Sequence, residues 1–167
     1  MNLSSRGINK LKELEGCVKR GGKHVVYDDK TGKPVSVNKP LPTGATIGYG
    51  HLIRPGEDFM AGITEEQATE LLCRDIASVE RGVGDTVKTP LAQNQYDAVV
   101  ILAYNIGVQN FIASTIVKYI NNPNFHSVRY PTLKSAWLAW NRAHGAVSGG
   151  LNHRRMAEWE IYNHARY

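Results

Sequence analysis

The 167-residue chain has 42% hydrophobic and 21% charged residues, which is typical of a single folded globular domain. Its formal net charge of +5 suits polyanionic partners. The longest apolar run, residues 98–104, is too short to span a bilayer, and residues 1–7 lack the apolar core of a secretory signal. We therefore expect synthesis in a cytoplasm, without a signal peptide.

The first predicted element is an amphipathic helix that begins after Ser4 and ends at Gly16, a residue favoured just beyond helix C-termini. Glu15 lies in its last turn, where the helix dipole disfavours an anion. A carboxyl group there favours its protonated form, as a general acid requires. The alternative is an ordinary exposed glutamate at a helix end.

Three short β-prone runs follow, at residues 25–27, 35–37 and 45–47, separated by Gly, Pro, Asn and Asp. They predict a small antiparallel sheet or a set of hairpins. The later pattern is helical. A capping box at Thr64 and Gln67 opens a helix over about 64–80. The next predicted helix starts at residues 90–93, is apolar on all sides over 97–106, and is expected to be buried at the centre of the domain. Further helices are predicted over about 111–120, 132–140 and 151–162, with a flexible loop at 145–150.

The predicted fold class is α+β, with a small N-terminal antiparallel β region, a mainly helical lobe and an intervening cleft. We expect one domain over residues 1–167. It would comprise a sheet lobe at about 16–62, a connector helix at about 64–80, and a helical lobe at about 81–167 that includes the N-terminal helix.

Several chemistries lack their usual motifs. Six histidines contain no His-Glu-x-x-His pair, so no metal site is expected. There is no Gly-x-Ser-x-Gly elbow for a serine nucleophile. Cys17 and Cys73 lack zinc-site spacing and are expected to be free thiols in or near the core. The remaining candidates for catalysis are carboxylates. Glu15 with Asp28 or Asp29 forms a candidate acid–base pair for hydrolysis of an acetal.

The sequence resembles the phage-type lysozymes (endolysins) of glycoside hydrolase family 24 over nearly its whole length. The resemblance is carried by Glu15-Gly16, by Tyr27-x-Asp29-x-x-Gly32 and by Thr46-Ile47-Gly48-Tyr49-Gly50-His51. It implies a lysozyme-like fold. The segments that separate the three motifs are longer than in the family's short pattern, which predicts insertions around residues 21–23 and 33–42.

The resemblance implies three catalytic residues. Glu15 would protonate the glycosidic oxygen, Asp29 would activate the attacking water or stabilise charge at the anomeric carbon, and Thr46 would hydrogen-bond that water. Thr43 is the weaker choice because only Thr46 directly precedes the Ile-Gly-Tyr-Gly-His run.

The resemblance also implies supporting roles. Asn105, Phe111 and Ser114 would contact the sugar, although core packing is the equal alternative for Phe111. His51 and Asp75 would form a structural salt bridge. One arginine of the pair Arg154 and Arg155 would hold Glu15 in place.

The function implied by the resemblance is hydrolysis of the β-1,4 bond between N-acetylmuramic acid and N-acetylglucosamine in bacterial peptidoglycan, with inversion. No cofactor is implied. The expected partners are peptidoglycan and the anionic envelope surface, with the chain as a monomer. Nucleic acid, which only the isoelectric point suggests, is not expected. The protein would wait in the host cytoplasm before release to the cell wall, and a delivered toxin would look the same. The alternative is a basic membrane- or wall-binding antibacterial protein that needs no turnover.

Overall fold

The computed structural model describes residues 1–36, 41–143 and 145–167. These residues form two compact units. The sheet unit comprises Lys12–Ala77, and the helical unit comprises Met1–Leu11 with Ser78–Tyr167. Val37, the last residue of the second predicted β run, lies outside the described residues.

The sheet unit contains a hairpin and a four-stranded antiparallel sheet. The hairpin pairs β1 (Lys19–Arg20) with β2 (Lys23–His24). The sheet has the order β4-β3-β5-β6, formed by β3 (Tyr27–Asp28), β4 (Lys33–Pro34), β5 (Ala45–Ile47) and β6 (His51–Leu52). The prediction for 45–47 is confirmed. The prediction of a strand beginning at residue 35 is wrong, because β4 ends at Pro34, in an edge strand where proline is tolerated.

Two helices border this unit in sequence. Helix α1 (Ser5–Glu15) ends as predicted, because Gly16 adopts a φ of +66° and donates its N–H to the carbonyl of Lys12 at 3.0 Å. Helix α2 (Glu65–Thr86) is opened by the predicted capping box: Gln67 N–H donates to Thr64 Oγ1 at 3.3 Å, and Thr64 N–H donates to Gln67 Oε1 at 2.9 Å. It extends six residues past the predicted end at residue 80.

The helical unit is built around α3 (Gln93–Ile106), in which every residue from Tyr96 to Ala103 is buried. The final helix, α7 (Gly149–His164), makes the most extensive contact with it. A helix that is apolar on all sides is normally central to its unit. The prediction of a buried central helix is therefore confirmed.

Between α3 and α7 the structure departs from the predicted boundaries. The predicted helix over 111–120 is two helices, α4 (Val108–Ala113) and α5 (Thr115–Asn121). Ser114 separates them because its backbone is extended, with ψ 155°, and its Oγ accepts the N–H of Val117. Helix α6 (Leu133–Leu138) is followed by a hairpin of β7 (Arg142–Ala143) and β8 (Ala146–Val147), where part of the flexible loop was predicted.

Within the described residues, no helix has both the length and the apolar character needed to cross a membrane. The strands of the large sheet precede the long helices in the chain and lie in a separate unit from α3 and α7. The α+β class is therefore confirmed.

Candidate active site

Glu15 is the last residue of α1 and is half-buried. The left-handed Gly16 ends the helix at this point, so the side chain stands at the negative end of the helix dipole. Its predicted location at a helix end is where the structure places it.

Asp29 lies in the turn that follows β3, and its side chain is exposed. The turn is closed by Gly32, whose N–H donates to the carbonyl of Asp28 at 2.7 Å. The neighbouring Asp28 uses its own carboxylate to accept the N–H of Lys30 at 2.9 Å, which stabilises the turn. Asp29 therefore presents the carboxylate that remains open to water.

Thr46 lies in β5 and pairs directly with Tyr27 of β3. It is only 3% exposed, and its hydroxyl donates to the carbonyl of Gly44 at 2.9 Å. Because the hydroxyl proton is used there, the lone pairs of Oγ1 remain to accept a hydrogen bond. Thr43, the weaker choice, is exposed.

The phenol of Tyr27 interacts electrostatically with both candidate carboxylates. Burial raises its pKa, and the negative charges of Asp29 and Glu15 raise it further. Thr46 is the cross-strand partner of this tyrosine and lies, with Glu15 and Asp29, in the sheet unit.

Glu65, the first residue of α2, is the centre of a cluster that sequence reasoning missed. Its carboxylate accepts from Lys12 Nζ at 3.1 Å, Lys19 Nζ at 2.9 Å, His24 Nε2 at 2.9 Å and the Tyr49 hydroxyl at 2.5 Å. We call these five residues the Glu65 cluster. The hydrogen bonds from Lys19 and Tyr49 are the main reasons that the pKa of Glu65 lies well below its usual range.

The members of the Glu65 cluster are far apart in sequence, so no local spacing predicts it. The one available signal was the capping box, which places Glu65 at a helix start, where the dipole favours a carboxylate. Burial of Tyr49 and its bond to Glu65 raise the pKa of that phenol, which keeps it a donor.

His51 is 5% exposed, and its two ring nitrogens face two carboxylates. Nδ1 lies 2.8 Å from Asp75 Oδ2, the partner expected from the resemblance. Nε2 lies 3.0 Å from Glu57 Oε2, a partner that was not predicted. The backbone N–H of Arg54 and the His51 contact lower the pKa of Glu57. Both nitrogens are engaged, which fits a structural role.

The three expected sugar contacts lie in the helical unit and differ in exposure. Asn105, at the end of α3, is exposed and lines a cavity of about 480 Å³ with Trp140 and Arg142. Ser114 is only 5% exposed but lines a second cavity of about 270 Å³, which also includes Trp140. Phe111 has no exposed surface, so the structure places it in the core rather than at a surface that meets sugar.

Arg154 and Arg155 converge on the buried carboxylate of Glu158. Arg154 Nε and Arg155 Nη2 lie 3.2 and 3.1 Å from Glu158 Oε1, and Trp137 Nε1 donates to Oε2 at 3.1 Å. Arg155 Nη2 also donates to Asn105 Oδ1 at 2.5 Å. Burial raises the pKa of Glu158, and the arginines act in the opposite direction. Arg155 thus links this network to the candidate sugar-binding residue Asn105.

The expectation for the cysteines is confirmed for the free thiols and wrong for their location. Cys17 and Cys73 are both exposed free thiols, not core residues. Cys17 follows the turn at Gly16, and Cys73 lies on an outward face of α2. The generally apolar character of cysteine did not predict these positions. Among the described residues, no group of three or more His, Cys, Asp or Glu is arranged to hold a metal ion.

Comparison with known proteins shows a match to the phage lysozyme family model over residues 12–158. The chain is 34% identical to an endolysin of Bacillus phage B103 over 97% of its own length and 54% of that protein. It thus spans about half the length of that relative.

Two solved structures are similar in fold. An endolysin from Escherichia coli O157:H7 phage FAHEc1 gives a TM-score of 0.77 at 32% identity, covering 100% of this chain and 96% of the other. The muramidase domain of SpmX from Asticaccaulis excentricus gives 0.74 at 28% identity, covering 97% of each chain.

Proposed function

This chain belongs to the phage lysozyme family, and we propose that it is a glycoside hydrolase that cleaves bacterial peptidoglycan. The observation that carries the proposal is that Glu15, Asp29 and Thr46 lie in one compact unit, where the strand that ends just before Asp29 pairs directly with the strand that holds Thr46. Glu15 is half-buried at a helix C-terminus, and Asp29 is exposed. Two carboxyl groups in unlike settings can hold different protonation states at one pH, as glycoside hydrolysis requires.

The proposed reaction assigns one step to each group. Glu15 donates its proton to the glycosidic oxygen as the bond to the anomeric carbon breaks. Asp29 accepts a proton from the water that attacks this carbon. Thr46 accepts a hydrogen bond from the same water, because its own proton is held by the Gly44 carbonyl. Direct attack by water inverts the anomeric carbon.

The proposed bond is the β-1,4 linkage from N-acetylmuramic acid to N-acetylglucosamine. The similarity to a domain described as a muramidase supports this choice among the bonds of peptidoglycan. Asn105 and Ser114 are the proposed sugar contacts, because each lines a cavity that also includes Trp140. An aromatic ring with an amide and a hydroxyl group is suited to bind the apolar face and polar edge of a sugar. Phe111 is proposed as a core residue that supports them.

The proposed substrate places the site of action at the bacterial cell wall. The net charge of +5 would help to hold the protein on the anionic envelope. We propose that the protein acts as a monomer and reaches the wall after release from the cytoplasm in which it is made.

Product analysis tests the proposed bond and its stereochemistry. Purified peptidoglycan is digested, the new reducing ends are reduced with borohydride, and the amino sugars are identified after acid hydrolysis. We expect the alcohol derived from muramic acid to increase. An increase in the glucosamine-derived alcohol would place the cut at the other bond. Proton NMR of fresh product should show the α anomer first, and an initial β anomer would contradict inversion.

A further inference from the structure

Glu65 is exposed enough to be solvated, yet four donors from four separate segments converge on it. Lys12 comes from α1, Lys19 from β1, His24 from β2 and Tyr49 from the turn between β5 and β6. An exposed ion pair by itself contributes little to stability. A shared acceptor differs, because it restricts the positions of all its donors together.

Two of these segments carry proposed catalytic residues. Lys12 lies one helical turn before Glu15, and its carbonyl accepts the N–H of Gly16 at 3.0 Å. Tyr49 lies three residues after Thr46. The Lys12 ammonium also lies 5.3 Å from the centre of the Tyr49 ring, so the two segments meet directly at Glu65.

We infer that Glu65 is a positioning residue: by binding Lys12 and Tyr49 together, it fixes the last turn of α1, which carries Glu15, relative to the strand that carries Thr46. This inference rests on the proposed glycosidase function. Glu65 makes no contact with substrate in this account and acts only through the geometry of the acid and the water-binding hydroxyl.

The charges explain why the carboxylate is needed. Lys12 and Lys19 approach the same carboxylate within 3.1 and 2.9 Å, so Glu65 is their shared counter-charge. Without it, two ammonium groups would repel each other across the short segment that holds Glu15. His24, with no exposed side-chain surface, would lose the acceptor for Nε2, which costs free energy in a buried imidazole.

The test compares Glu65→Gln with Glu66→Gln on soluble peptidoglycan fragments, with release of reducing ends as the measure of turnover. Glu66 is the matched control because it is the next residue of the same helix turn, is exposed, and hydrogen-bonds to Thr64 and its own backbone rather than to the donors around Glu65. A small misplacement of a reacting group can cost up to about 100-fold in rate. We expect kcat of Glu65→Gln to fall about tenfold or more, with KM changed less than about threefold. Glu66→Gln should retain wild-type kcat.

Two further variants separate positioning from folding. Tyr49→Phe keeps the buried ring but removes one donor to Glu65, and it should lower kcat without unfolding the protein. Glu65→Asp keeps the charge and should recover part of the kcat lost in Glu65→Gln. If Glu65→Gln and Tyr49→Phe both keep wild-type kcat, the inference is wrong while the glycosidase proposal stands. If the wild type releases no reducing ends, the proposed function itself fails.

Discussion

At the scale of single residues, the proposed roles depend on which polar atoms already make hydrogen bonds within the protein. Thr46 uses its proton on the Gly44 carbonyl and so offers lone pairs, whereas His51 has both ring nitrogens facing carboxylates. These two residues lie five positions apart in one motif, yet hydrogen bonding assigns them different roles. Thr46 is suited to bind water, and His51 is suited to stabilise the fold.

Replacing Thr46 by valine tests the proposed water contact. Valine keeps the shape and the β-branching but removes the hydroxyl, so kcat should fall at least about tenfold. Thr46→Ser, which keeps the hydroxyl, should retain most activity. Thr43→Val is the matched control and should leave kcat unchanged, because Thr43 is exposed. Full activity in Thr46→Val would remove this residue from the mechanism.

The His51→Ala variant tests the structural pair. It leaves the carboxylates of Asp75 and Glu57 without their shared partner and opens a gap at a nearly buried position. We expect a loss of about 2–4 kcal/mol in unfolding free energy. Urea denaturation measures this loss of stability. The control is Leu52→Ala, a substitution at the exposed neighbouring residue. Equal stability of the two variants would show that the pair contributes nothing.

At the scale of elements, the sequence predicts helices and strands well where periodicity and caps agree. The end of α1 at Gly16 and the start of α2 at Thr64 follow from local signals of this kind. The break at Ser114 was missed because the apolar spacing continues through it, and only the cap to Val117 reveals it. The partners of Glu65 were missed because tertiary contacts, not spacing, bring them together.

Phe111 in α4 is another residue whose tertiary environment the sequence did not predict. Its place in the resemblance suggested sugar binding, but its side chain has no exposed surface. Phe111→Ala should therefore cost about 3–5 kcal/mol in unfolding free energy and leave KM unchanged at temperatures where the variant is folded. Ile112→Ala, at the next and partly exposed position, should cost less than about 1 kcal/mol. A raised KM with unchanged stability would instead support Phe111 as a sugar contact.

The contacts at the start of α2 also predict how stability depends on pH. The folded protein holds the pKa of Glu65 below its usual value, so this group contributes stability above the ordinary glutamate pKa. The contribution is lost as the pH falls through the lowered folded pKa. The difference in unfolding free energy between wild type and Glu65→Gln should shrink as the pH is lowered below about 4, the ordinary glutamate range. A difference that grows on acidification would contradict this sign.

At the scale of the whole molecule, two explanations compete for the bacteriolytic action proposed for this chain. One is turnover by Glu15, Asp29 and Thr46. The other is binding of a basic protein, with net charge +5, to a membrane or wall without turnover. Salt dependence does not separate them, because exposed charges are screened within about 8 Å at physiological ionic strength whether or not the protein turns over substrate. Wall binding should weaken with salt in both cases, but only turnover creates reducing ends.

The most direct measurement compares wild type, Glu15→Gln and Glu13→Gln on purified peptidoglycan, following turbidity and new reducing ends together. Glu13 is the control because it lies in the same helix, is exposed, and undergoes the same change of charge. Wild type and Glu13→Gln should release reducing ends at similar rates. Glu15→Gln should be slower by at least about 100-fold, since it cannot donate the proton. Equal clearing by all three, without new reducing ends, would contradict the glycosidase account and favour the basic surface as the cause of lysis.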